Sequence, residues 1–197
     1  MKKLWNKLTR KTYDWTMGMA SGPRAIWALC AIAFIESSFF PIPPDLLLIP
    51  LVLANREKAF RMAAYATISS VLGGYFGYAI GYFAYDSIEP YLSAGFIEKI
   101  NWFSGKYNEY GAWIVFFAGV TPFPYKIITI ASGVTHLDLG IFTVASILAR
   151  GLRFYIIAGL LWKWGTPMKI WIEKNLGWLS IAFCILLIGG FLILKLF

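Results

Sequence analysis

Five ionisable side chains stand inside stretches that are otherwise apolar: Glu36, Asp45, Lys126, Arg150 and Arg153. A charge at the centre of a bilayer costs about 2.5–3.5 kcal/mol on insertion scales, so such a residue normally has a partner or a task. Arg150 and Arg153 are three apart, which puts them on one helix face, and a face carrying two guanidiniums should turn inward. Two carboxylates against three cations leave a net positive site, fitted to a phosphate headgroup. Arginine grips phosphate oxygens bidentately, and lysine acts as a point charge. Burial favours a neutral carboxyl and a nearby cation favours the charged form. A carboxylate displaced from its arginine by an arriving phosphate would therefore take a proton more readily, which makes proton coupling an expectation.

Each residue also has a plainer reading. Asp45 directly follows Pro43–Pro44 and fits a cap on the returning segment. Glu36 reads as a salt-bridge partner, Lys126 as a side chain snorkelling to an interface, and Arg150, beside Gly151, as a packing residue. Pro41, Pro43, Pro44, Pro122 and Pro124 are expected to shape turns, and Asp138 to start a helix. His136 is the only histidine, and Cys30 and Cys184 lie in apolar segments. No metal site, cofactor or disulfide framework is expected. With no nucleophile–base pair or phosphate loop apparent, neither is an enzyme.

The segments that position these residues belong to a membrane protein. Of 197 residues, 59% are hydrophobic and only 14% charged, against roughly 25% charged in soluble domains. The formal charge of +8 is not a nucleic-acid signature, because the basic residues sit in loops between apolar runs. Two apolar stretches, 25–54 and 112–134, are broken by the proline clusters FFPIPPD (39–45) and TPFPYK (121–126). A crossing helix needs about 20 apolar residues, and the arms beside these prolines are shorter. Each stretch therefore reads as a re-entrant hairpin, a form tolerated in lipid only when buried in protein or lining a watery cavity.

Residues 62–85 and 139–162 are long enough to span, and 163–197 read as a basic link followed by a C-terminal spanning helix. Residues 1–24 suit a basic amphipathic surface helix or a solvated tail. Within 86–110, Ile97, Ile100, Phe103 and Tyr107 recur at helical spacing, which suggests a short interfacial helix. The positive charge of the N-terminal tail, of 55–61 and of 163–175 puts these segments in the cytoplasm and 86–110 outside. Two ordinary short helices per stretch would give the same sidedness; arm length favours re-entry. The resulting fold class is an all-α integral membrane protein: an inverted repeat of two re-entrant hairpins and spanning helices, plus a C-terminal transmembrane helix. Gly73, Gly77 and Gly81, extended by Ser69, form a row of small residues that lets helices approach closely. Its partner is either the first hairpin or a second copy of the chain in a homo-oligomer.

The segment from Glu36 through FFPIPPD, the block FAGVTPFPYKIITIASG (117–133) and ARGLRF (149–154) together resemble the DedA superfamily, also called the SNARE-associated or VTT-domain family. The likeness is greatest to its YqaA-like branch and covers roughly residues 25–160. It implies hairpins in inverted repeat, an acidic pair at Glu36 and Asp45, and a multi-pass protein of the bacterial cytoplasmic (inner) membrane with a cytoplasmic N-terminus. It also implies a flippase or scramblase for a phosphate-bearing lipid, such as undecaprenyl phosphate or phosphatidylethanolamine, often dependent on proton or cation gradients. Many members carry Arg-x-x-Pro-x-x-Arg in the second hairpin. Here Gly119 and Tyr125 flank Pro122, and Lys126 is the nearby cation. The alternative expectation is a proton- or cation-coupled secondary transporter of a small solute or ion, which the same architecture serves.

Overall fold

The computed structural model describes residues 25–39, 43–121, 123–165 and 167. The N-terminal basic segment, most of the C-terminal region, Pro41 and Pro122 lie outside the described residues. The described chain is helical: α1 (Ala25–Ser38), α2 (Asp45–Ala54), α3 (Ala59–Ile88), α4 (Ala94–Val120), α5 (Tyr125–Val134) and α6 (Leu139–Trp164), with 3₁₀ turns at Arg56–Lys58 and Glu89–Tyr91. Both proline clusters fall between helices, as the sequence reading expects. Pro44 and Pro124 each stand immediately before a helix start, where a fixed φ and a missing N–H do no harm.

The order helix, break, ten-residue helix, long helix occurs twice, with α4 in the second half nearly twice as long as α1 in the first. At 1.5 Å per residue, α1 is about 21 Å long and α2 and α5 about 15 Å, roughly half the thickness of a bilayer core. Among the described residues α6 is the one helix both long and apolar enough to cross a membrane. It is firmly bounded. The Asp138 side chain accepts from Ile141 N at 2.9 Å, the expected helix start, and Gly165 ends the helix at φ +59°. α3 is longer, at 30 residues, but glycines, serines and tyrosines dilute its apolarity.

Those glycines explain the packing. α3 lies against α1, α5 and α6, and α4 against α6. A methyl group on Gly73 would overlap the Phe34 backbone of α1, one on Gly77 the Thr129 side chain, and one on Gly81 the Ile130 carbonyl of α5. Gly133 of α5 meets the Tyr78 backbone of α3 in return. The row of small residues therefore serves packing within the chain, and it receives both broken stretches rather than the first alone.

The structure corrects the reading of 86–110. Ala94–Val120 is one helix of 27 residues, not an interfacial helix followed by a separate arm. Gly111 does not break it, because Leu137 fills the space its missing side chain leaves. Of the expected apolar face only Tyr107 is buried, while Phe103 is exposed.

Two apolar clusters divide the interior. One joins Leu29, Leu48, Val52, Ala63, Phe154 and Leu161. The other joins Tyr107, Val115, Tyr125, Leu137 and Phe142. Both draw on α6, and Arg150 and Arg153 fall in the stretch of α6 between Ala145 of the second cluster and Ala158 of the first.

Candidate functional site

α6 brings both arginines to the ends of the broken stretches. Arg150 Nη2 donates to Glu36 Oε2 at 2.7 Å, near the end of α1. Arg153 Nη2 pairs with Asp45 Oδ2 at the start of α2, and its Nη1 donates to the Thr121 carbonyl, just past α4, at 2.6 Å. One guanidinium therefore holds the tips of both stretches. The pairing overturns the capping reading of Asp45. Asp45 is the first residue of α2, preceded by Pro44 with no side-chain cap, and its carboxylate turns to Arg153 instead.

The two arginines have different surroundings. Arg150 is wholly buried and lies over the rings of Tyr125 and Phe154, with centroids 5.0 and 4.8 Å from Cζ. Aromatic faces attract a cation, and more strongly where water is absent. The packing and ion-pair readings of Arg150 and Glu36 therefore both hold. Arg153 and Asp45 keep 14% and 20% of their side-chain surface exposed, so the outer pair is not sealed inside the protein. Two buried polar atoms are unpartnered among the described residues, Arg150 Nη1 and Asp45 Oδ1.

Lys126, in the first turn of α5, donates to the Phe39 carbonyl at 3.3 Å, and Thr129 Oγ1 donates to the Ser37 carbonyl at 3.0 Å. The last carbonyls of a helix lack partners within it and carry the negative end of its dipole. The second stretch thus supplies both donors to the end of the first. Gly119 and Tyr125 border Arg150 directly: a methyl on Gly119 would meet Ala149 Cβ and Tyr125, with Arg150 Cδ at 3.6 Å. The Arg150 side chain from α6 thus runs past Gly119 and sets its guanidinium over Tyr125.

Sequence reasoning missed the hydroxyls. Ser37, Ser70, Thr121, Thr129 and Ser146 are buried around the charges, with Ser146 bonded to Tyr125 OH. Their signal was the occurrence of Ser and Thr in apolar runs beside a charge or a glycine row. Elsewhere, an apolar groove of about 630 Å³ between α4 and α6 is lined by Trp113, Phe116, Ile141, Val144 and Leu148; Leu148 is 57% exposed and Arg150 not at all, so the groove faces away from the charges. Outside the apolar segments, Lys106 bonds Glu109 at 3.1 Å and holds its carboxyl below the usual range.

Comparison with known proteins agrees with this architecture. The profile of the VTT domain matches residues 42–163. An uncharacterized protein of Haemophilus influenzae (strain Rd) is 32% identical over 194 residues, which cover 96% of this chain and 99% of that one. An uncharacterized protein homolog of Histophilus somni is 34% identical over 194 residues, covering 96% of this chain and 100% of its own. No solved structure matches. The chain belongs to the VTT-domain family of membrane proteins, the DedA or SNARE-associated family.

Proposed function

We propose that the protein moves a phosphate-bearing lipid, such as undecaprenyl phosphate or a phospholipid, between leaflets of the bacterial cytoplasmic membrane. On this reading the two broken stretches are re-entrant hairpins dipping from opposite faces in an inverted repeat, with the N-terminus in the cytoplasm. The carrying observation is the bridge made by Arg153, which holds Asp45 of one stretch and Thr121 of the other. Half-length helices, charges gathered at their tips and an apolar surround support a site near the midplane. Arg150 beside Gly119 and Tyr125 supports a headgroup site in which α6 supplies the cation that the second hairpin lacks.

Arriving phosphate competes with Asp45 for Arg153, where the pair is partly exposed, and reaches Arg150 through Nη1, which has no partner among the described residues. A carboxyl released from its arginine then takes up a proton, which couples transport to pH. The test is reconstitution with labelled lipids, comparing the wild type with Glu36→Gln, Asp45→Asn and Arg153→Gln. Leaflet exchange that falls at least tenfold in Asp45→Asn and Arg153→Gln supports the reading, as does a pH profile that flattens in Glu36→Gln. Solute or ion uptake without lipid exchange refutes it in favour of a secondary transporter, and hydrolysis of the lipid phosphate would make the protein an enzyme.

A further inference from the structure

Where α3 begins and α6 ends, a wall of rings meets a group of cations. Tyr155, Gly159 and Trp162 of α6 are spaced i, i+4, i+7, so they share a helix face. Gly159 leaves room on that face for a ring from α3: a methyl on Gly159 would lie 3.9 Å from Phe60 Cε1. The Phe60 ring stands 6.2 Å from that of Tyr155 and 5.8 Å from that of Trp162. All three rings are exposed. The wall they form runs two turns along α6, about 10 Å, from the end of the helix towards its middle.

The cations stand at the outer end of this wall. Arg56, in the 3₁₀ turn before α3, lays its guanidinium against Gly165, where a side chain would overlap Nη2. The negative end of the α6 dipole favours a cation there. Lys163 Nζ lies 4.9 Å from the centre of the Trp164 ring, a distance at which the ring face attracts it. Lys58 and Arg61 flank the start of α3, where the dipole of that helix repels cations. Among the described residues none of these four cations is in an ion pair, whereas Lys106, beyond the other end of α3, is paired with Glu109. Glu57 is the carboxylate of the same turn. Like charges gathered in this way raise the local concentration of anions.

We propose that this end of the molecule holds a resident lipid with an anionic headgroup, its phosphate between Arg56 and Lys163 and an acyl chain along Trp162, Phe60 and Tyr155. A free phosphate would use the cations and offer nothing to the rings. A lipid uses both, because aromatic residues mark the membrane interface and basic residues beside them attract acidic headgroups. The site is separate from the proposed transport route. Arg153 lies about 16 Å before Trp164 along α6, and its bonds run to Asp45 and Thr121. The lipid at the rim is therefore an anchor and not the cargo.

The test counts lipids kept by the purified full chain, by native mass spectrometry from micelles titrated with phosphatidylglycerol or with phosphatidylcholine of the same chains. Phosphatidylglycerol should be kept in preference. A cation beside an anionic lipid is worth about fivefold in affinity. Arg56→Gln and Lys163→Gln should each weaken retention by that factor, and Lys99→Gln, in the first turns of α4, should not change it. Phe60→Ala should also weaken retention, through the lost chain contact; if it does not fold, the two exposed cations carry the test. Equal retention of both lipids, or an equal loss in Lys99→Gln, would reduce the effect to general surface charge and overturn the inference. Displacement of the lipid by inorganic phosphate at equal concentration would overturn it in favour of a soluble anion. Repeating the count in Arg153→Gln separates this site from the transport reading. Lipid kept there supports the rim site whether or not transport stands, and lipid lost there but kept in Arg56→Gln belongs to the tips and overturns the inference.

Discussion

The Glu36–Arg150 pair makes a quantitative prediction through a double-mutant cycle. Among the described residues Arg150 is the largest fully buried side chain, and Glu36 retains only 13% exposure. Glu36→Met leaves a guanidinium with no carboxylate on Nη2 and only Ser70 as a neutral acceptor. Arg150→Met leaves a carboxylate with Ser37 as its remaining donor. Breaking a buried pair from one side costs about 3–5 kcal/mol, because the other charge stays desolvated and unmatched. Arg150→Met should fall at the lower end, since Glu36 is less enclosed than Arg150 and a thioether can replace part of the guanidinium's contact with Tyr125 and Phe154. The double variant buries no lone charge, so it should cost less than either single change. That result corresponds to a coupling larger than the costlier single change, at least about 3 kcal/mol, between contacting residues. Unfolding of the purified proteins in mixed micelles reads all four corners of the cycle. The exposed Lys106–Glu109 pair, with 61% and 50% of side-chain surface open, is the control: Glu109→Gln should leave the midpoint where it is. Near-additive changes, or single variants each within about 1 kcal/mol of the wild type, would show that the pair is not buried in the native protein.

Three further outcomes follow from local geometry. Gly81→Ala, whose new methyl overlaps the Ile130 carbonyl, should cost about 1–3 kcal/mol as α3 and α5 are forced apart; Gly105→Ala, with nothing within 4 Å, should gain roughly 0.5–1 kcal/mol from helix propensity, both read in the same unfolding assay. Asp138→Ala removes the acceptor for Ile141 N and should cost about 1 kcal/mol, with faster hydrogen exchange confined to the first turn of α6. Arg153→Lys keeps the charge but cannot serve Asp45 and Thr121 in the fixed fork of a guanidinium. Cysteines at Phe39 and Phe123 should therefore label several-fold faster with a water-soluble thiol reagent than in the Arg153 background, and equal rates would deny that Arg153 holds the tips.

The charges were legible in the sequence because ionised groups in apolar runs are costly and therefore few. Their pairing was not. Glu36 lies 114 residues from Arg150, and Asp45 lies 108 from Arg153, separations that only the packing of α1, α2 and α6 can close. The proline clusters located the breaks, since several prolines together remove more helix hydrogen bonds than a helix can lose, whereas the lone Pro50 stays inside α2. The division placed between 110 and 112 was not a break, because the change there from polar to apolar residues alters the surroundings of α4 and not its backbone, and Leu137 occupies the space beside Gly111. The glycine row announced close approach, but the identity of its partner depended on α5 lying beside α3. Ser37 and Ser70 stayed hidden because a small hydroxyl residue in an apolar helix also serves plain packing, and only the arginine opposite gives it a role.

The two ion pairs cannot be interchangeable in the proposed transport. Arg150 is enclosed by aromatic rings and bonded to Ser70 as well as to Glu36, so moving it breaks three helix-to-helix contacts at once. Arg153 is less enclosed, with 14% of its side chain exposed, and its two bonds run to the tips of different stretches. Exchange of Asp45 for an incoming anion at Arg153 is therefore the lower-cost first step, and it loosens both tips together because one guanidinium holds them. The inner pair opens only after the outer one has given way, once a phosphate oxygen has an unused donor at Arg150 Nη1 to turn to. This order ties opening to the presence of a headgroup, since without one both arginines lose a carboxylate and gain nothing in a region poor in water.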